Sequence, residues 1–142
     1  MLRRRLSGVS PNADAQTAPS KAAALTSPQN DKVFREAELL ERLMYDRGLV
    51  RRIVARFLSD VPVQLGKLKD FLRMGDTLGA RRQAHTIRGA AATLGAPALS
   101  EVAFELEEIG KEGGLVEALN VLPRLEIEFE RLKRSLEQNG WA

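Results

Sequence analysis

The sequence predicts an all-α protein: an antiparallel four-helix bundle of up-down-up-down topology, preceded by a short additional helix. Three observations predict this class. Between residues 34 and 139 the apolar residues recur at steps of three and four, and no stretch alternates as a strand does. Asp, Gly and Pro residues divide this pattern into segments with short connections, which favour antiparallel neighbours. Aromatic residues make up only 5% of the chain, so the core must consist of aliphatic side chains.

The first two predicted helices differ in length. The first covers roughly residues 35–45 and is expected to lie across one end of the bundle. Its apolar residues are Leu39, Leu40, Leu43 and Met44. Asp46 is a suitable N-cap for the second helix. The apolar line of the second helix is Val50, Val54, Phe57, Val61, Leu65, Leu68 and Leu72. Pro62 lies within this line and predicts a kink or a local loosening of the helix.

The remaining helices are separated by glycines. Asp76 is a second N-cap, and Gly95 is expected to end the third helix, at roughly residues 77–94. Pro97 suits the first turn of the fourth helix. Gly110 and the pair Gly113-Gly114 are expected to close that helix. The apolar residues of the last helix are Leu115, Ala118, Leu122, Leu125, Phe129, Leu132 and Leu136, and Pro123 is expected to bend its first part.

The charge of the chain is unevenly distributed. Residues 1–30 are rich in Ala, Ser and Pro and predict a disordered basic tail or linker, so the bundle domain is expected at residues 31–139. The tail carries four basic residues and one acidic residue, which is the whole net charge of +3. The 18 basic and 18 acidic residues of the bundle balance. The high isoelectric point is therefore poor evidence for nucleic-acid binding, and we expect no nucleic-acid partner.

Several classes of site are disfavoured by composition. The chain contains no cysteine and one histidine, which excludes disulfides and thiolate chemistry and disfavours structural zinc. The absence of cysteine is compatible with the cytoplasmic location that we expect. No apolar run approaches the roughly 20 residues of a membrane span. There is no glycine-rich nucleotide loop, and we expect a monomer without cofactors of its own.

The single histidine, His85, lies in a segment of small residues on the third helix. At 100° per residue it falls about 140° from the centre of the apolar line, and therefore on a solvent-facing flank. The same flank carries Arg81, Arg82, Arg88, Gly89 and Ala92. A neutral imidazole is a nucleophile towards phosphorus, and a guanidinium one turn away can contact phosphoryl oxygens. Gly89 and Ala92 leave space for another protein, although close helix packing would also explain the glycine. A solvated histidine without a role remains the alternative.

The segment Ala84-His85-Thr86-Ile87-Arg88-Gly89-Ala90-Ala91, followed by Leu94-Gly95-Ala96, resembles the motif of histidine-containing phosphotransfer (HPt) domains of two-component phosphorelays. The resemblance covers about residues 34–136, including the long helix before the motif and the helix after it. It implies that His85 receives a phosphoryl group from a receiver aspartate and passes it to another. Arg88 stands where the family usually has lysine and is expected to position the phosphoryl group.

The resemblance also implies partners for His85. In the family a Gln or Glu on the following helix often hydrogen-bonds the imidazole, and by spacing this residue is Glu107. Glu107 would fix the tautomer of His85, or would be a solvated residue of an acidic run. Arg81, Arg82, Gly89, Ala92 and Phe104 are candidates for contact with the receiver domain of a response regulator or hybrid kinase, and Phe104 is equally explained as the rim of the core. Mg²⁺ is expected in the receiver.

Charge supports that partner. Residues 47–88 contain 10 basic and 3 acidic groups, whereas residues 101–137 contain 5 basic and 10 acidic groups. The basic half bears His85 and would attract an acidic receiver face. The favoured function is thus a phosphocarrier without kinase activity. The alternatives are an adaptor that sequesters a receiver without phosphotransfer, and a basic bundle whose binding to DNA depends steeply on salt.

Overall fold

The computed structural model describes residues 32–142, and the predicted tail at residues 1–30 lies outside this part. The helices follow the amphipathic pattern: α1 spans Glu36–Arg42, α2 Arg47–Arg73, α3 Thr77–Leu94, α4 Pro97–Lys111 and α5 Leu115–Gln138. Within residues 32–142 there is no strand. Helices α2 to α5 form the antiparallel bundle that the sequence predicts, each packing against the next and α5 against α2.

The helix ends are set by local chemistry. The carboxylate of Asp46 accepts a hydrogen bond from the backbone N–H of Leu49 at 3.1 Å, and that of Asp76 from Gly79 at 2.9 Å. These bonds satisfy two of the N–H groups that a helix start leaves without partners. Gly95 ends α3 in the left-handed conformation with φ of 91°, and Pro97 opens α4. All four predicted boundaries are confirmed.

The first helix differs from its prediction. It ends at Arg42, and Met44 and Tyr45 adopt φ of 56° and 62°. The backbone N–H of Tyr45 reaches back to the carbonyl of Leu40 at 2.7 Å, which closes a tight turn between α1 and α2. The side chain of Met44 is 86% exposed. The prediction that Met44 belongs to the apolar face of a helix reaching residue 45 is wrong, because the chain must reverse before α2.

Two internal prolines and one glycine are accommodated within helices. Helix α2 continues through Pro62, and α5 continues through Pro123. Gly110 does not close α4, which extends to Lys111. A Cβ atom at Gly110 would lie 3.0 Å from Cβ of Arg81 and 3.1 Å from the carbonyl oxygen of Thr77. Gly110 therefore permits the close approach of α3 and α4, the two helices that carry His85 and Glu107.

Helix α1 closes one end of the bundle, as predicted. The backbone N–H of Arg35 donates to the carbonyl of Gly95 at 2.7 Å, and the guanidinium of Arg42 to that of Thr93 at 2.8 Å. The Trp141 indole N–H donates to the Glu36 carboxylate at 2.6 Å. The folded unit spans Lys32–Ala142 and so extends past residue 139, where the sequence placed its end, because Trp141 is buried at this end of the bundle.

Candidate functional site

The exposed face of α3 carries the candidate site. Ala84, Ile87 and Ala91 are buried and fix the rotation of α3 against the bundle. This rotation leaves the side chain of His85 62% exposed, which confirms the helical projection. The imidazole is thus held by a rigid helix while one edge of the ring remains open to solvent.

Glu107 connects the two candidate side chains of α3, His85 and Arg88. Its Oε2 lies 2.9 Å from Nδ1 of His85, and its Oε1 accepts a hydrogen bond from Nε of Arg88 at 2.8 Å. The side chain of Glu107 is only 14% exposed, because it lies between α3 and α4. The structure brings together the three residues to which the sequence analysis assigned the chemistry.

The contacts of Nδ1 select one tautomer of a neutral His85. Nδ1 has Oε2 of Glu107 at 2.9 Å and Nη2 of Arg88 at 3.1 Å. A protonated Nδ1 donates to the carboxylate, and an unprotonated Nδ1 accepts from the guanidinium; both hydrogen bonds cannot exist in the same neutral ring. Both bonds would involve an ionised partner, and the shorter contact, 2.9 Å to the Glu107 carboxylate, favours a proton on Nδ1. The Nε2 lone pair is then free.

The ionisation of Glu107 follows from the same contacts. Partial burial raises the pKa of its carboxyl group, but the hydrogen bonds from His85 and Arg88 and the charge of Arg88 outweigh burial and hold the pKa below its usual value of 4.5. Glu107 is therefore a carboxylate at neutral pH, as required of the acceptor for the Nδ1 proton.

Arg88 is held on two sides. Besides its bond to Glu107, its guanidinium carbon lies 5.3 Å from the centroid of the Phe104 ring, within the range of a cation–π interaction. Phe104 is 47% exposed and lies one turn before Glu107 on α4. The sequence does not reveal this cation–π contact, because the two residues lie on different helices, 16 positions apart.

The other candidate residues occupy different positions around His85. Arg82, Gly89 and Ala92 are exposed on the same face of α3. A Cβ atom at Gly89 would meet nothing within 4 Å, so within residues 32–142 helix packing does not require this glycine. Arg81 is half-buried against Gly110 at the contact of α3 and α4. The structure thus separates Arg81, which packs between helices, from the exposed residues; the predicted role of all of them in receiver contact stays a prediction.

A groove between α2 and α3 lies beside Gly89 and was not predicted from the sequence. Its volume is about 240 Å³. The lining residues are Ile53, Arg56, Phe57, Asp60, Val61, Gln64, Gly89, Ala90, Thr93 and Leu94. The only signal for it in the sequence was the lack of side-chain bulk at Gly89. One of its lining residues, Gly89, lies about one helical turn from His85 along α3.

The described part of the chain holds neither a cluster of metal ligands nor a membrane-spanning helix. Among residues 32–142 no three or more His, Asp and Glu side chains converge in a way that could hold a metal ion. No helix in the same range combines the length and the apolar character needed to cross a membrane.

Comparisons with known proteins agree with this geometry. The model of the family described as "Hpt domain" matches residues 52–135. The fold is similar to the crystal structure of histidine-containing phosphotransfer protein B (HptB) from Pseudomonas aeruginosa PAO1, with a TM-score of 0.65 and 25% sequence identity. That alignment covers 80% of this chain and 96% of the other. A search of curated protein sequences found no match to the chain.

Proposed function

We propose a function from the premise that the chain belongs to the Hpt domain family, the phosphotransfer modules of two-component systems. In this proposal the chain relays a phosphoryl group between receiver aspartates through phosphohistidine at His85. One observation carries the proposal. His85 is 62% exposed while its Nδ1 lies 2.9 Å from a carboxylate, so the free Nε2 is both nucleophilic and accessible.

The proposed step is an in-line transfer. The Nε2 lone pair attacks the phosphorus of a receiver aspartyl phosphate; the N–P bond forms as the bond from phosphorus to the aspartate oxygen breaks, and the aspartate leaves as a carboxylate. The Nδ1 proton stays on the ring. Glu107 stabilises the positive charge that develops on the imidazole, and the Nη groups of Arg88, which do not bond Glu107, bind phosphoryl oxygens. The reverse reaction passes the group to a second aspartate.

The proposed partners are receiver domains of response regulators or hybrid kinases. The receiver would supply Mg²⁺ from its own acidic pocket, and the chain acts as a phosphocarrier without kinase activity. Residues 47–88 contain 10 basic and 3 acidic groups, and this half of the bundle bears His85. An acidic receiver surface would be attracted to it, with an association rate that falls as salt increases.

The test is transfer from labelled receivers. The full chain is incubated with Mg²⁺ and a panel of ³²P-labelled receiver domains from the source organism, and the label on the chain is followed with time. At least one receiver should yield an acid-labile phosphoryl group on the wild-type chain, and a second unlabelled receiver should then remove it. His85→Gln, checked for folding by circular dichroism, should take up none.

The adaptor alternative gives a different result. A chain that binds phosphorylated receivers but never acquires acid-labile label would overturn the relay proposal. Labelling that persists in His85→Gln would overturn the assignment of the phosphorylated residue, because this sequence contains no other histidine.

A further inference from the structure

Phe104 has a contact that a residue used only for docking would not need. Its ring lies 5.3 Å from the guanidinium carbon of Arg88, and Nε of Arg88 is bonded to Oε1 of Glu107. The other carboxylate oxygen of Glu107 bonds to Nδ1 of His85. Phe104, Arg88, Glu107 and His85 therefore form one continuous series of contacts across α3 and α4, which we call the tautomer series.

We propose that Phe104 and Arg88 are positioning residues that set the tautomer of His85 through Glu107. The inference rests on the proposed function of His85 and adds a reason for arginine at this position. The fork of the guanidinium allows Nε to bond Glu107 while the plane of the group stacks on Phe104; a lysine ammonium has no such plane and no second set of donors.

The geometry defines what happens when the series is broken. Nη2 of Arg88 lies 3.1 Å from Nδ1 and is ready to donate to it. If Arg88 no longer holds Oε1 of Glu107, the carboxylate can leave Nδ1, and the bond that favours the Nδ1 proton is lost. The proton of the neutral ring then moves to Nε2, which loses the lone pair required for attack on phosphorus.

The experiment is ¹⁵N NMR of His85 in the full chain. Because this is the only histidine in the sequence, uniform ¹⁵N labelling gives a single imidazole spectrum. The chemical shifts of the two ring nitrogens report which one is protonated in the neutral ring. The wild type should show mostly the Nδ1–H tautomer. Phe104→Leu should lower the ratio of Nδ1–H to Nε2–H by up to about five-fold, the size of an exposed cation–π interaction.

Two further variants separate the positioning role from packing. Phe104→Tyr keeps the ring face and should keep the wild-type ratio. Arg124→Lys changes another exposed arginine, paired with Glu105 at 3.0 Å, and should also leave the ratio unchanged. Since Phe104 is 47% exposed, the Leu variant should fold as the wild type does.

A double-mutant cycle decides whether Phe104 acts through Arg88. Arg88→Lys should lower the tautomer ratio, and adding Phe104→Leu to it should lower the ratio no further, because the contact between them is already lost. Additive effects, or no effect of Phe104→Leu alone, would overturn the inference. If the cycle is non-additive but the wild type takes no phosphoryl group from any receiver, the relay proposal fails and the positioning of His85 stands.

Discussion

Two regions of this protein use the same interactions with opposite outcomes. At the α1 end of the bundle the indole N–H of Trp141 donates to Glu36 at 2.6 Å, and the guanidinium carbons of Arg47 and Arg51 lie 4.6 and 5.3 Å from the indole ring. At the α3–α4 site Nδ1 of His85 lies 2.9 Å from Glu107, and the guanidinium carbon of Arg88 lies over the Phe104 ring at 5.3 Å. Each region combines an aromatic N–H, a glutamate and an arginine on a ring.

The difference lies in what remains open. Trp141 is 3% exposed, and its one polar atom is bonded, so its cluster closes the fold. The His85 side chain is 62% exposed, and its second ring nitrogen keeps a lone pair. The two regions thus use the same kinds of contact. They differ in that the only polar side-chain atom of Trp141 is hydrogen-bonded, whereas one of the two ring nitrogens of His85 is left for a reaction partner.

The largest expected effect is on phosphotransfer. His85→Gln should abolish acid-labile phosphorylation while changing the free energy of unfolding by less than about 1 kcal/mol, since the side chain is mostly solvated. Transfer assays and urea unfolding of the same preparation measure both quantities. A loss of several kcal/mol would show that His85 is as much a structural residue as Trp141, and the contrast between the two regions would fail.

The opposite result is expected at the α1 end. Trp141→Ala should lower the free energy of unfolding by about 3–5 kcal/mol, the usual cost of removing a buried Trp side chain. Phosphotransfer per folded molecule should remain near the wild-type rate, because the polar and cation–π contacts of the Trp141 ring are with Glu36, Arg47 and Arg51, at the α1 end. Urea unfolding provides the first quantity, and initial transfer rates corrected for the folded fraction provide the second. A proportionate loss of transfer would show that the two regions are coupled.

Two glycines sharpen the contrast between packed and open surface. Gly110→Ala should destabilise the protein by about 1–3 kcal/mol, because the new Cβ would lie 3.0 Å from Cβ of Arg81 and 3.1 Å from the carbonyl oxygen of Thr77, and α3 would have to shift to make room. Gly89→Ala should stabilise it by about 0.5–1 kcal/mol through helix propensity, since the new Cβ meets nothing within 4 Å. If the open face admits a receiver, Gly89→Ala should also slow transfer. If both substitutions raised, or both lowered, the free energy of unfolding, the conclusion that Gly110 is tightly packed and Gly89 is open would be contradicted.

The smallest effect concerns pH. Because the pKa of Glu107 is lowered in the folded protein, its contacts stabilise the fold above the unfolded value of 4.5, and this stabilisation is lost as pH falls through the lowered pKa. The gap in unfolding free energy between wild type and Glu107→Gln should therefore shrink between about pH 7 and about pH 3. Urea titrations across this range measure it. A gap independent of pH would mean that the carboxylate charge contributes nothing.

The sequence predicted what depends on local periodicity and local chemistry. The apolar period identified α2 to α5, and Asp46, Asp76, Gly95 and Pro97 marked their boundaries correctly because each acts within one helical turn. The same period placed His85 outside the core. The partnership of Glu107 with His85 came from a family resemblance combined with spacing, and the structure places the two in contact.

What was missed depends on tertiary contact. The reversal between α1 and α2 uses positive φ at Met44 and Tyr45, two residue types that do not mark such a turn in sequence. The sequence interpreted Gly110 as a helix stop, although it serves the approach of α3. Trp141 and Glu36 meet across 105 positions of sequence. The residue pattern of a single helix does not predict such pairs, because they depend on the rotation and the axial shift of each helix relative to its neighbour.

The site is divided between two helices that touch through Gly110, and this has a consequence for signalling fidelity. A chain in which the helix Pro97–Lys111 is missing or has separated from α3 keeps His85 and Arg88 but cannot present the Glu107 carboxylate to Nδ1. Such a chain would carry the histidine without its preferred tautomer. Under the proposed function, the relay would therefore depend on completed tertiary structure, because α3 alone does not supply the Glu107 carboxylate.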